Sequence, residues 1–214
     1  AKGAKRLKSK FGSGIEPFSI VKIEYFQKET SELVSLQKVD LIQSNFAAAS
    51  NPDFLQKFSY LGDILITFSP PHDPNETLYR MVKACIETAA NDPASLPSIG
   101  VYFELWLLRL SGYLPDWSKC DGCGRIFLDG DDTGLQSDLH LKCLDCRRSS
   151  SGRTLNADGR AVAAAARRLS PVDFAELTLD KQETLRYLST IMKQLISQSI
   201  GREVTGETSL AISI

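Results

Sequence analysis

The chain has 214 residues, 43% of them hydrophobic and 24% charged, with a net charge of only −1. That is enough apolar material to bury a sizeable core in one large domain or two small ones. No run of about 18 apolar residues occurs and the first ten residues lack the apolar stretch of a secretory leader, so neither a membrane span nor secretion is supported and a cytoplasmic location is the expectation.

The first ten residues carry Lys2, Lys5, Arg6, Lys8 and Lys10 with no acid among them. A mobile basic loop of this kind follows a phosphate backbone without reading bases, although a charge run is also what an ordinary solvated face looks like. The chain opens at Ala1 without an initiator methionine, and its first segment reads as the middle of a domain.

Over residues 16–41, Val21, Ile23 and Tyr25 alternate with Lys22, Glu24 and Phe26, and a second apolar run holds Leu33, Val34 and Leu36. The spacing predicts two strands joined by a polar turn at residues 27–32. Two strands alone are marginal in water, so the segment reads as part of a β-domain. Phe18, Tyr25 and Phe26 are read first as packing residues, and second as platforms for stacked bases.

After Phe46 the texture turns helical. Asn51-Pro52 is a capping pair, followed by Phe54, Phe58, Leu61, Leu65 and Phe68 at helical intervals. Pro70-Pro71 stops that helix. Asn75 opens the next, whose stripe is Leu78, Val82, Cys85 and Ala89; Cys85 reads as a small core residue. Residues 99–110 are almost continuously apolar, interrupted by Glu104 and Arg109, as expected of a central buried helix. Further helices are predicted over residues 161–169 and 180–199, the last ended by Gly201.

Between the central helix and the alanine-rich one lie Cys120-x-x-Cys123 and Cys143-x-x-Cys146, separated by 19 residues. This is the spacing of a four-cysteine zinc site. Each pair makes a tight knuckle that brings two thiolates to one ion, with Gly122 and Gly124 supplying permissive backbone. Four thiolates leave no open position, so one structural zinc is expected. The alternatives are two disulfides or a redox pair, and the latter lacks the βαβ context it requires. His140 reads as an ordinary exposed histidine. Short strands are predicted at residues 125–127 and 138–141, with an acidic turn at 129–134. Residues 142–168 hold Lys142, Arg147, Arg148, Arg153, Arg160, Arg167 and Arg168 against Asp145 and Asp158, a second basic block. Arg147 and Arg148 follow the last cysteine ligand directly and are second candidates for phosphate contact.

Three features occur in a telling order: Lys2-Gly-Ala-Lys-Arg6 leading to Ser9-Lys10-Phe11-Gly12 and Glu16-Pro17-Phe18; Tyr102-Phe103-Glu104-Leu105 through Leu108, Gly112-Tyr113 and Pro115; and the first knuckle five residues after that proline. Over nearly its whole length, including Ile200-Gly201-Arg202 to Leu210, the chain resembles the bacterial RecO family of recombination mediators. The resemblance implies an α+β architecture, an N-terminal OB-fold (here partial, beginning at the family's basic loop) followed by a helical domain carrying the zinc module. The corresponding expectations are a partial β-domain at residues 1–45 and a helical domain at 46–214, with the module at about 116–156. The resemblance also implies binding of single- and double-stranded DNA, strand annealing, partnership with RecR, and contact with the acidic C-terminal tail of single-strand binding protein. It implies no covalent catalysis. Consistent with this, neither histidine begins the H-x-E of zinc deaminases and no G-x-x-x-x-G-K-[ST] loop occurs. The rival reading is a zinc-stabilised protein adaptor that does not bind DNA.

Overall fold

In the computed structural model, which describes residue 11 and residues 16–28, 34–70, 72–147 and 153–204, the chain is α+β, with a β-hairpin followed by helices and a second small hairpin in the cysteine region. The basic start at Lys2 to Lys10, most of the expected turn at 27–32, and Arg148 fall outside the described residues. The chain divides into two compact units, residues 1–58 and 59–214.

In the first unit, β1 (Ile20–Gln27) pairs antiparallel with β2 (Val34–Gln43), longer than the apolar run suggests. Lys22 faces Asp40, Ile23 faces Val39 and Glu24 faces Lys38, with register shifts next to Ile20 and Tyr25. Of the described strand residues only Ile20 is buried. Tyr25 and Phe26 are 55% and 56% exposed, contrary to the packing role first expected of them. In a two-stranded ribbon each strand has one neighbour, and these rings find no covering layer among the described residues of the unit.

Phe18 does pack. Its ring lies edge-on to Phe54 and Phe58 at 5.8 and 5.7 Å, and those two stack at 4.4 Å. Phe18 has φ 62°, a left-handed conformation costly for an aromatic residue. The amide of buried Asn45 holds it there, donating to the Phe18 carbonyl at 2.8 Å. A short helix α1 (Phe46–Ala49) precedes α2 (Pro52–Phe68), at whose start the Asn51 side chain accepts from the Asp53 N–H at 2.9 Å as the capping pair predicts.

In the second unit, α3 (Glu76–Asn91) begins where Asn75 caps the Leu78 N–H. Its buried stripe is Met81, Cys85, Ile86, Thr88 and Ala89; Cys85 and Ala89 are buried as expected, whereas Leu78 and Val82 are only half-buried. Cys85 is a core thiol, 3.7 Å from the Met81 sulfur, and burial pushes it well above the ordinary thiol range. Helix α4 (Leu96–Leu110) starts three residues earlier than expected and is buried on most sides, packed against α3 and against the helices at Pro171–Leu177 and Gln182–Ile200.

Helix α5 (Ala157–Ala165) begins four residues before the predicted alanine run because the Asn156 side chain caps the Gly159 N–H. The short α6 (Pro171–Leu177), not anticipated, is capped by Ser170 on the Asp173 N–H. Helix α7 (Gln182–Ile200) ends at Gly201 with φ 68°, a conformation glycine takes at little cost.

The polar groups of α4 have assigned tasks. Glu104 is 1% exposed and accepts the Tyr60 hydroxyl at 2.8 Å. Burial, reinforced by the Glu104 carboxylate, holds the Tyr60 phenol far above its usual range, so it stays a donor. The Tyr102 hydroxyl reaches the Leu169 carbonyl at 3.1 Å and the Trp106 indole N–H reaches Ala166 at 2.7 Å, tying α4 to the α5–α6 connection. Removing the buried donor in Tyr60→Phe is expected to cost about 1–3 kcal/mol, read as a lower urea midpoint at unchanged slope.

Candidate metal centre

The first knuckle is a tight loop closed by backbone bonds. Cys120 N–H donates to Arg125 O and Gly124 N–H to Cys120 O, both at 2.8 Å, while Phe127 N–H reaches Ser118 O at 2.9 Å. Gly124 sits at φ 75°, where a Cβ would be strained. The second knuckle leaves strand β4 (Leu141–Cys143), enters a single 3-10 turn over Leu144–Cys146, and closes with Arg147 N–H on Cys143 O at 3.1 Å. The Asp121 N–H bonds the Leu141 carbonyl at 2.8 Å, which docks one knuckle on the other.

Together they bring the Sγ atoms of Cys120, Cys123, Cys143 and Cys146 within 4.8 Å of one another. None is in a disulfide. The Cys123 and Cys143 sulfurs are 3.9 Å apart, close to the roughly 3.8 Å that tetrahedral Zn–S bonds of about 2.3 Å require. Backbone N–H groups of Gly122 and Cys143 point at the Cys120 sulfur at 3.4 and 3.3 Å. Burial works against the Cys120 thiolate, but the N–H groups of Cys143, Cys123 and Gly122 outweigh it and bring the thiol down to about 6. Cys146, whose proton is shared with the Cys143, Cys123 and Cys120 sulfurs, is pushed up to about 12. Four sulfurs so crowded favour a cation among them, and the donor set is compatible with one structural ion.

Cys120 and Cys143 are buried, whereas Cys123 is exposed and Cys146 half-buried, so the cluster sits at the surface of the module. Its support was only partly visible in the sequence. Strand β3 (Thr133–Leu135) was not expected, β4 shares only Leu141 with the strand expected at 138–141, and at 125–127 only Ile126 takes part, in an isolated bridge with Lys119. The expected acidic turn therefore ends two residues early, because Thr133 is buried and its hydroxyl bonds the Leu155 carbonyl at 2.5 Å. Trp117 donates to the carbonyl of fully buried Leu139 at 2.9 Å. His140, expected to be an ordinary exposed histidine, is half-buried and places its Nδ1 3.0 Å from Asp121 Oδ1. The stem of Arg147 lies over Gly134, where a Cβ would collide with it. The structure thus seats Arg147 beside the cluster. Lys2, Lys5, Arg6, Lys8, Lys10 and Arg148 lie outside the described residues.

Gly122 is tightly seated: an added Cβ would stand 3.1 Å from Cys146 Cβ and 3.2 Å from its sulfur, so Cys146 would have to give way by a few tenths of an ångström. Gly122→Ala is expected to open the cluster, measured as more native-state thiols reacting with a thiol reagent. Gly62→Ala, in open space within α2, is the control and is expected to raise stability by about 0.5–1 kcal/mol.

The family model described as "Recombination protein O C terminal" matches residues 58–206. Among curated relatives, the DNA repair protein RecO of Koribacter versatilis is 26% identical over 205 residues, covering 94% of this chain and 82% of that protein. Those of Anaeromyxobacter sp. (strain K) and Clostridium novyi are 25% and 29% identical over 130 and 125 residues, covering 61% and 58% of this chain and 51% and 48% of theirs. The chain thus spans about half of these two relatives' lengths. With the family model matched over more than half of its length, the chain belongs to the recombination protein O (RecO) family.

Proposed function

We propose that the chain is a non-enzymatic DNA-binding mediator of recombination in DNA repair, acting in the cytoplasm. It binds single- and double-stranded DNA, anneals complementary strands, and helps load recombinase together with RecR and the C-terminal tail of single-strand binding protein. The observation that carries this reading is the family match over residues 58–206, together with relatives named as DNA repair proteins. The exposed rings of Tyr25 and Phe26 support it, because bases stack on such rings without regard to sequence. In this reading residues 1–45 are the β-part that meets DNA. Residues 46–214 are the helical part, stabilised through the module at about 116–156.

The metal in this proposal is one zinc held by Cys120, Cys123, Cys143 and Cys146. Bound there it supplies a closed thiolate shell that orders the chain and leaves no site for water or substrate. Elemental analysis is expected to give one zinc per chain, and Cys143→Ser to lose it. Chelation is expected to shift tryptophan emission to longer wavelength as Trp117, one of only two tryptophans, loses its buried site. Metal-free protein with native emission and full stability would refute the structural role.

Lys2, Lys5, Arg6, Lys8 and Lys10 are the first candidates for phosphate contact and Arg147 with Arg148 the second. Neutralising the five N-terminal cations together is expected to weaken binding about equally across sequences and to flatten its salt dependence, by up to ~0.7 to 0.9 in logarithmic slope for every phosphate no longer neutralised. Unchanged affinity and slope in zinc-loaded protein would remove this loop from the site. No salt-dependent DNA binding by the unaltered chain would favour the protein-adaptor reading.

A further inference from the structure

A second cluster of cations, away from the four cysteines, faces a hollow of about 370 Å³ between the end of α4, helix α5 and the base of the module. Arg109, Arg160 and Arg167 line it, over a floor that includes Ala161 and Ala164. Arg160 is already engaged: its Nη2 donates to the Leu128 and Asp131 carbonyls at 3.0 and 2.8 Å, and its guanidinium lies 5.1 Å over the Phe127 ring. It serves as a fixed positive wall.

Arg109 and Arg167 differ. Arg109 is exposed and its guanidinium lies 5.4 Å over the Trp106 ring, which fixes its direction without using its N–H donors. Arg167 is exposed, and neither side chain has an ion pair or hydrogen bond among the described residues. Two acids share the hollow, Asp116 and Asp129. Asp116 is bound by the Ser118 hydroxyl at 2.5 Å and by Lys119 at 3.5 Å, which leaves the hollow with an excess of positive charge. Cations near helix C-termini are favourable in themselves. That accounts for single residues at the two helix ends, but not for two arginines, without hydrogen-bond partners among the described residues, lining one hollow.

We infer that this hollow is a phosphate-binding subsite, in which Arg109 and Arg167 grip one phosphodiester of a nucleic-acid strand beside the wall made by Arg160. The planar forks suit phosphate oxygens, and the alanine floor lets a strand come close. Exposed Arg168, next in the chain, carries positive charge beyond the hollow, which suits a continuing strand better than a free ion. The inference rests on the DNA-binding reading above and adds to it a site on the helical part.

The test compares the zinc-loaded full chain with an Arg109→Gln/Arg167→Gln variant in fluorescence polarisation on a labelled single-stranded oligonucleotide across a salt series. Arg80→Gln/Arg186→Gln, which removes the same charge elsewhere, is the control. The expected result is affinity roughly ten-fold or more weaker at low salt, and a logarithmic slope reduced by about 0.7 for each phosphate that is no longer neutralised, with the control near the unaltered chain. If the unaltered chain binds with a clear salt dependence but the hollow variant matches the control, the inference is overturned while the DNA-binding reading stands. If the unaltered chain shows no such binding, that reading fails and the inference with it. Titration with inorganic phosphate and a nucleoside monophosphate forms the second arm. Displacement of the oligonucleotide only at high millimolar concentration is expected, whereas tight binding of either small ligand with oligonucleotide affinity unaltered in the variant would identify a free-phosphate site and overturn the assignment.

Discussion

Four sulfur atoms within 4.8 Å of each other are the constraint around which the described residues of the cysteine module are arranged. Between Trp117 and Leu155 the described residues form two three-residue strands and one 3-10 turn. Its own core comes down to a few side chains, among them Trp117, Leu135, Leu139 and Leu141. So small a core does not by itself offset the conformational entropy lost by the described residues of the module. A cross-link does so by a different route, restricting the chain wherever apolar burial falls short. The knuckles are built to bring four sulfurs together. Gly122 lets Cys146 approach, and the Asp121 N–H seats the first knuckle on β4.

The helical unit solves a related problem with hydrogen bonds. Helix α4 is so thoroughly buried that each polar group on its buried side must find a partner within the protein. Glu104 takes the Tyr60 hydroxyl, and Tyr102 and Trp106 reach main-chain carbonyls at Leu169 and Ala166. The last two bonds hold the segment just after α5 against α4. The insertion leaves the helices at Leu110 and returns to them at α5, so both of its ends are fixed to the same helix.

The helix caps and the cysteine spacing were the most legible parts of the chain, because each is a local rule written in a few adjacent residues. Asn51 and Asn75 cap as their positions suggest, and Gly201 takes the left-handed turn. Ser170-Pro171-Val-Asp173 carried the same kind of signal for α6 and was passed over, since a seven-residue helix is too short to show an apolar period. Strand β3 was hidden for another reason. Asp129, Asp131 and Asp132 make the preceding stretch read as a solvated turn, and nothing local reveals that Thr133 meets the Leu155 carbonyl 22 residues away. The exposure of Tyr25 and Phe26 was illegible too, because alternation tells which residues share a face but not what lies against it. Arg109 and Arg167, 58 positions apart in sequence, become neighbours of one hollow only through the packing of α4 and α5.

That same exposure raises the question of how the hairpin keeps its alignment, since burial of one face, the usual arbiter, is weak here. The register sets Lys22 opposite Asp40 and Glu24 opposite Lys38, which adds a charge bias to it, although the ion pair that forms is Lys38 with Asp40 along β2 at 2.6 Å. All four side chains lie on one face, and the signs alternate along both strands. A slip of two residues in one direction sets Lys22 opposite Lys38, and in the other sets Glu24 opposite Asp40. Each slip exchanges attraction for repulsion, at about 0.2–1 kcal/mol for each pair. The ribbon is therefore keyed by charge, and its alignment should be most tolerant of error in concentrated salt, where the key is screened.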